Sequence, residues 1–89
     1  MRFEWDRKKA TNNFKKHKVA FDEAVTVFYD PLSATFEDPD HSRGEERFLT
    51  LGYSSRERLL VISYTEVRDV VRIISARRAT TKERKRHEA

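Results

Sequence analysis

Two arginines stand inside runs that otherwise alternate in the manner of β-strands. Arg47 shares its predicted strand face with two leucines, and Arg72 shares its predicted face with the apolar Val70, Ile74 and Ala76. An arginine held on a strand is preorganised, and its guanidinium can stabilise negative charge that develops on a phosphorane. Both residues are therefore candidates for metal-free RNA cleavage. The alternative is that each is a surface or edge residue without a catalytic role.

Such a cleavage also needs a base that removes the 2′-hydroxyl proton and an acid that protonates the leaving 5′-oxygen. His41, Glu45 and Glu46 precede Arg47 closely in the chain and are candidates for these roles. The alternative roles are ion pairing of the glutamates with nearby arginines and turn hydrogen bonding by His41.

The chain ends in a strongly basic tail, in which six of the last thirteen residues are Lys or Arg. These cations could contact a phosphate backbone, or they could form only a solvated helix. Charge elsewhere is sorted into blocks, because residues 1–18 carry seven basic and two acidic side chains, whereas residues 19–46 carry one and eight. Opposed basic and acidic faces would fit an anionic polymer or a charged protein partner, unless the blocks interleave in the folded chain.

Composition excludes several classes of site. The 89 residues suit one domain, 1–89, and the lack of cysteine excludes disulfides and thiolate chemistry. Two glycines provide no phosphate-cradling loop, and the three histidines are too scattered for a metal site, so we expect neither cofactor nor metal. No window resembles a signal peptide or a membrane span, which predicts a soluble, cytoplasmic protein that does not bind membranes.

The first third of the chain predicts a strand followed by two helices. Phe3 to Trp5 alternate as a short strand, and Asp6 can cap a helix over Arg7–His17. A second helix is predicted over Phe21–Phe28, whose apolar residues follow the i, i+3, i+4, i+7 spacing. Asp30-Pro31 ends it, because proline disfavours helix in the preceding residue.

The remainder predicts an antiparallel β-meander and a closing helix. The strands are Leu32–Glu37, Glu45–Tyr53, Arg58–Thr65 and Val70–Ala76, of which Arg58–Thr65 is apolar on both faces and should be central. Tyr64 should therefore face the core. Thr80-Thr81-Lys82-Glu83 predicts a capping box that starts a basic helix. The fold class is α+β, with two N-terminal helices packed on an antiparallel sheet of about four strands and a C-terminal basic helix.

An ordered set of short motifs resembles the BrnT family of toxins, and the resemblance covers nearly the whole chain. The motifs are Phe3-Glu4-Trp5-Asp6, Asn13-x-x-Lys16-His17, Phe21-x-Glu23-Ala24 with Asp30-Pro31, Glu45-x-Arg47-Phe48, Arg72-Ile73-Ile74-Ser75-Ala76-Arg77 and Ala79-Thr80-x-x-Glu83-Arg84. The resemblance implies a RelE-like, translation-inhibiting endoribonuclease that needs no metal. It also implies neutralisation by a BrnA-like ribbon-helix-helix antitoxin, through which the complex contacts DNA indirectly.

The resemblance also assigns residues to roles. Arg47, Arg72 and Arg77 correspond to active-site positions, and His41 and Glu46 are further catalytic candidates. The residues expected to bind RNA lie in the tail: Arg78, Lys82, Arg84, Lys85, Arg86 and His87. The alternative function is a non-catalytic module, or a decayed toxin, that binds RNA or a protein through the same basic face.

Three positions depart from the family pattern. Ala20 stands where a small polar cap often begins the second helix, and loss of such a cap costs about 1 kcal/mol. Lys18 replaces a frequent glycine, which matters if the backbone there is left-handed. His87 stands near a frequent tyrosine of the closing helix, so an aromatic or acid role would pass to an imidazole.

Overall fold

The structure, a computed structural model, describes residues 1–38 and 46–89. Within those ranges it contains five strands and three helices, in the α+β arrangement that the sequence predicts. The elements are β1 (Arg2–Glu4), α1 (Arg7–His17), α2 (Phe21–Val27), β2 (Ala34–Glu37), β3 (Arg47–Tyr53), β4 (Leu59–Val67), β5 (Val70–Arg78) and α3 (Thr81–Glu88).

One sheet carries all five strands, in the order β1-β5-β4-β3-β2. Strands β2 to β5 form the predicted antiparallel meander, with the doubly apolar β4 at its centre as expected. The opening strand β1 adds a fifth member that runs parallel to β5, so the sheet is mixed. Helices α1 and α2 carry the chain over one face of the sheet, from β1 at one edge to β2 at the other, and the meander then returns to β5 beside β1.

Local capping explains where α1 begins and ends. The side chain of Asp6 accepts hydrogen bonds from the backbone of Lys8 at 2.8 Å and of Lys9 at 3.3 Å, as predicted. These two bonds lower the pKa of the Asp6 carboxyl. Lys18 ends the helix with φ 59° and ψ 32°. A lysine thus occupies left-handed backbone, a conformation that glycine adopts with the least steric strain.

The second helix, α2, lacks a side-chain N-cap but is well packed against the sheet. Ala20 occupies its N-cap position and makes no side-chain capping bond. Of the predicted apolar face, Phe21 and Ala24 are buried and Val25 and Phe28 are partly buried against the core. Val27, which the spacing did not predict, is also fully buried. The helix ends at Val27, one residue earlier than predicted, because the amide of Phe28 turns to the carbonyls of Val25 and Thr26.

Aromatic rings fill the core between the helices and the sheet. Phe28 packs against Phe3 and Tyr64, with ring centroids 5.1 Å and 4.9 Å away, and Trp5 meets Phe21 edge-on at 5.8 Å. Tyr64 is 4% exposed and therefore faces the core, as predicted. Its hydroxyl is hydrogen-bonded to that of Thr50 at 2.8 Å, which satisfies both buried oxygens.

Asn13 fastens α1 to the edge of β5. Its amide nitrogen donates to the carbonyl of Ala76 at 2.9 Å, and its amide oxygen accepts from the backbone of Ala76 at 3.1 Å. The same nitrogen also donates to the carbonyl of Val19 at 3.0 Å. Because β1 pairs with β5 only as far as Arg72, the Asn13 side chain completes the edge where the parallel partner has ended.

A buried carboxylate fastens α2 to the turn between β3 and β4. Glu23 is 8% exposed and is paired with Arg58, whose Nε lies 2.9 Å from one carboxylate oxygen. The hydroxyl of Ser54 donates to the same oxygen at 2.7 Å. These partners, Arg58 foremost, hold the pKa of Glu23 below its usual value despite the burial.

A β-bulge in β5 changes which side chains share a face. Tyr64 pairs with Ile73 and Ser63 pairs with Ser75, so Ile74 is an extra residue opposite that step of β4. The expectation that Ala76 lies on the same face as Arg72 is therefore wrong. The bulge reverses the alternation and buries Ala76 in the core, on the side opposite Arg72.

Candidate functional site

The side of the sheet opposite α1 and α2, which we call the open face, carries the predicted arginines. Cross-strand pairing places its side chains in three rows, since directly opposed residues point to the same side. The rows, from β3 across β4 to β5, are Arg47–Thr65–Arg72, Leu49–Ser63–Ser75 and Leu51–Val61–Arg77.

Arg47 and Arg72 flank Thr65 in the first of these rows. Neighbouring strands are about 4.8 Å apart, so the two arginine backbones are separated by about 10 Å. Both side chains rise on the open face from paired strands, and long guanidinium side chains can converge across that gap. The row is therefore suited to hold one anionic group over Thr65, which is itself buried.

Arg72 is paired, although in a way that leaves it available. Its Nη1 lies 3.1 Å from a carboxylate oxygen of Glu4, which extends the row onto β1, and each side chain is 49% exposed. Exposed ion pairs contribute about 0–1 kcal/mol, so an incoming phosphate can replace the carboxylate. Arg47 is half-buried, and within residues 1–38 and 46–89 no carboxylate is paired with it.

Arg77 lies on the same face but in a different setting. Its row contains Val61, which lies four residues before Thr65 on β4, so the rows of Arg77 and Arg72 are about 13 Å apart along the strand. Both of its terminal nitrogens donate to Glu83 at the start of α3, at 2.8 Å and 2.9 Å. Glu83 also accepts from the backbone of Thr80 at 2.8 Å in the predicted capping box. Arg77 thus fixes the beginning of α3 to the sheet.

The contacts that attach α3 also lower the pKa of Glu83. Its pKa is lowered to about 2, mainly by the hydrogen bonds from Arg77 and further by the backbone of Thr80. The carboxylate therefore stays charged and paired at any physiological pH.

The far end of α3 is attached through Tyr53. Its hydroxyl donates to Glu88, which raises the pKa of Tyr53, and its ring lies 6.1 Å from the ring of His87. No residue of α3 is buried. The helix is thus held at its two ends by side-chain contacts rather than by a packed apolar stripe.

A cleft of about 520 Å³ opens between α3 and the open face, and we call it the α3 cleft. Its lining residues come from β2, β3, β4, α3 and the segment before β2: Leu32, Ala34, Phe36, Leu49, Leu51, Val61, Glu83, Arg86 and His87. Of these, only Arg86 and His87 are predicted from the sequence to bind RNA. The missed signal is in β3, which carries Leu49 and Leu51 on the face opposite to Phe48, although the helices cover only the face of Phe48.

The remaining predicted residues are distributed less tightly. Lys82, Lys85 and Arg78 are exposed, and Arg84 lies 3.5 Å from Glu88 within α3. Glu46 is exposed just before β3. By strand alternation it shares the face of Phe48, which is turned towards the helices, rather than the face of Arg47. His41, like Glu45, lies outside the described residues. The structure therefore brings Arg47 to Arg72 and gathers Arg77, Arg86 and His87 around α3.

Across residues 1–38 and 46–89, no three side chains of His, Cys, Asp or Glu stand close enough together to hold a metal ion. None of the helices in the same ranges combines the length and the apolar character that a membrane crossing requires.

Comparison with solved structures shows a similar fold in one protein that has a stated activity. The crystal structure of the Brucella abortus ribonuclease toxin, BrnT, aligns with a TM-score of 0.66, over 91% of this chain and 99% of that chain. The two are 19% identical, so this likeness establishes the fold alone. Curated proteins yield no significant match.

Comparison with family models is more specific. The model described as "Ribonuclease toxin, BrnT, of type II toxin-antitoxin system" matches residues 5–83. That span runs from the end of β1, through both N-terminal helices and the meander, to the Glu83 that anchors α3. The chain therefore belongs to the BrnT family of ribonuclease toxins of type II toxin–antitoxin systems.

Proposed function

We propose that this chain is an endoribonuclease that cleaves RNA without a metal ion and thereby inhibits translation. Membership of a ribonuclease toxin family supports the activity. The observation that carries the proposal is the row in which Arg47 and Arg72 flank Thr65 on the open face. Two guanidinium groups on paired strands are preorganised donors for the charge of a pentacovalent phosphorus.

In the proposed reaction the scissile phosphate lies over Thr65. A base removes the proton of the adjacent 2′-hydroxyl, and the oxygen attacks phosphorus while the bond to the 5′-oxygen breaks. The products are a 2′,3′-cyclic phosphate and a 5′-hydroxyl, whose proton comes from the general acid. Glu4, beside Arg72 in the row, is the proposed base, and His41 is the proposed acid, because Glu46 falls on the side of Phe48 rather than on the open face.

The cations of α3 and of the end of β5 are proposed to hold the flanking RNA backbone. These residues are Arg78, Lys82, Arg84, Lys85 and Arg86, with His87 at the α3 cleft. Their contacts would be made to phosphates and would carry little sequence information.

The proposed partner is a BrnA-like antitoxin of the ribbon-helix-helix class. A type II system implies a protein antitoxin, which supports a protein partner for this chain. DNA would be contacted only through the antitoxin in the complex. We place the chain in the cytoplasm, because translated RNA and a DNA-binding antitoxin meet there.

The test is induced expression in a bacterial host, with and without the neighbouring gene, reading growth and new RNA ends by primer extension. The native chain should arrest growth and create new ends, and the neighbour should relieve both effects. Arg72→Ala should abolish arrest, whereas Arg7→Ala, which alters an exposed arginine on α1, should not. Purified protein should keep its cleavage activity in EDTA.

Two results would contradict the proposal. Full toxicity of Arg72→Ala would remove that arginine from the mechanism, and loss of cleavage in EDTA would show a metal requirement. Salt-sensitive RNA binding by folded protein, without any cleaved product, would favour the non-catalytic binding module.

A further inference from the structure

We propose that the α3 cleft binds one unpaired nucleobase of the RNA, next to the nucleotide whose phosphate is cleaved. This inference rests on the proposed function and adds a base-binding subsite to it. The cleft then directs cleavage to positions next to an unpaired base, which the arginine row cannot do because it contacts only phosphate.

The lining of the cleft suits a flat heteroaromatic ring. Leu49, Leu51 and Val61 form an apolar floor on the open face, and Phe36 and His87 contribute rings from β2 and from α3. Unstacked RNA bases bind proteins by stacking on aromatic side chains, and such contacts tolerate different bases. The volume of about 520 Å³ is within the range of small-molecule sites.

The apolar residues at the mouth of the cleft have no evident role in the fold. Phe36, on the edge strand β2, is 55% exposed, and Leu32, just before that strand, is 76% exposed. Alternation along β2 directs the side chain of Thr35 towards the hydroxyl of Thr50, 3.0 Å away, and so turns Phe36 to the other side. Clustered apolar surface of this kind marks a binding site more often than a packing defect.

The charge around the cleft favours an anionic ligand such as RNA over a neutral or basic one. Arg86 lines the cleft, and the exposed Lys82 and Lys85 lie on the same helix. Glu83 is the carboxylate among the lining residues, and Arg77 already neutralises it at 2.8 Å and 2.9 Å. With Glu83 neutralised by Arg77, Arg86 gives the lining a net positive charge beside an apolar floor, which complements a base attached to a phosphodiester chain.

Position on the sheet links the cleft to the proposed cleavage site. The row Leu51–Val61–Arg77 contributes the floor, and the row Arg47–Thr65–Arg72 lies two β4 steps, or about 13 Å, further along. Extended RNA that crosses the open face can thus place a phosphate in the arginine row and a neighbouring base in the cleft. This continuity is what favours RNA over a segment of the antitoxin as the occupant.

The test measures base binding without requiring cleavage. Fluorescence anisotropy would compare two ligands, a 2′-O-methyl hexanucleotide and a hexamer of the same sugar phosphates that lacks all bases. The first cannot be cleaved, and the second retains only the backbone contacts. The variant is Phe36→Ala, and its matched control is Phe14→Ala, which alters a phenylalanine that is 49% exposed on α1, on the other side of the sheet.

We expect the native chain to bind the hexanucleotide about tenfold more tightly than the abasic hexamer. Phe36→Ala should reduce this ratio to about threefold or less while leaving the affinity for the abasic hexamer unchanged. Phe14→Ala should keep the native ratio. Thermal unfolding of both variants would verify that they fold, since each altered ring is about half exposed.

Three results would overturn the inference. They are equal affinity of the native chain for both hexamers, an unchanged ratio in Phe36→Ala, and a lower affinity of that variant for the antitoxin but not for RNA. Arg72→Ala separates the two proposals, because it should lose cleavage while keeping the base-dependent ratio. If the native chain does not cleave RNA but Phe36→Ala still lowers the ratio, the proposed function fails and the base site stands.

Discussion

The covered face of the sheet and the arginine row of the open face differ in how many hydrogen bonds hold their charged and polar groups. On the side covered by α1 and α2, buried Asn13 and Glu23 are each held by several hydrogen bonds. On the open face, Arg72 has one exposed partner, and Arg47 has none among the described residues. The covered face thus uses its polar groups to attach helices, whereas the open face uses Arg77 and Tyr53 to attach α3 and leaves Arg47 and Arg72 available for a ligand. Substitutions on the two faces should therefore affect different properties.

The largest expected effect on stability lies at Glu23 on the covered face. Glu23→Gln leaves the Arg58 guanidinium without its charged partner in a largely buried site, which should lower the free energy of unfolding by about 3 kcal/mol. Urea unfolding measures the change, with Glu66→Gln at an exposed position of β4 as the control, expected within about 0.5 kcal/mol. A loss at Glu23 no greater than that of the control would contradict the structural role given to this pair.

The largest expected effect on activity lies at Arg72 on the open face. Arg72→Ala should reduce the rate of RNA cleavage by about 100- to 1,000-fold, as expected for the loss of one preorganised donor. Its unfolding free energy should stay within about 1 kcal/mol of the native value, because the pair with Glu4 is exposed. If stability and activity fall together in this variant, the separation of the two faces fails.

The pair that attaches α3 should give stability a dependence on acid. The folded pKa of Glu83, about 2, lies below the ordinary value of 4.5, so its contribution is present above pH 4.5 and is lost as the pH falls towards 2. We expect about 1 kcal/mol, because the side chain is 33% exposed and water screens the pair. Glu83→Gln should be less stable at neutral pH and should flatten the unfolding profile between pH 4.5 and 2. An unchanged slope in this variant would argue against the pair.

The smallest expected effect is a gain at Lys18. Lys18→Gly should raise the unfolding free energy by about 0.5–1 kcal/mol, because glycine accepts the observed φ of 59° without strain. Lys18→Ala is the matched control and should bring no gain, since alanine keeps the Cβ atom that causes the strain. Equal gains in both variants would show that the lysine side chain, rather than its backbone, limits stability.

Local patterns predicted most of the elements. Alternation gave the faces of β3, the doubly apolar run identified β4 as central, and the capping box began α3 at the correct residue. What the sequence did not reveal depends on pairing between distant segments. The parallel addition of β1 and the bulge at Ile74 arise from neighbours that neither strand encodes by itself.

The candidate site follows the same division. Arg47 and Arg72 were identifiable as charges within strands, but their alignment across Thr65 depends on a register that no single strand specifies. The α3 cleft was missed because it forms between elements that are far apart in the chain. Catalytic use of Arg77 stays a prediction, since its observed bonds to Glu83 give it a role in positioning α3.

The Asn13 amide has a further consequence for the assembly state of the chain. A strand that ends a sheet exposes unpaired backbone groups, which can recruit a strand from another molecule and start edge-to-edge aggregation. Beyond Arg72, β5 would be such an edge, because β1 stops there. By donating to and accepting from Ala76, one side chain imitates a neighbouring peptide group and occupies the place at which a foreign strand would pair.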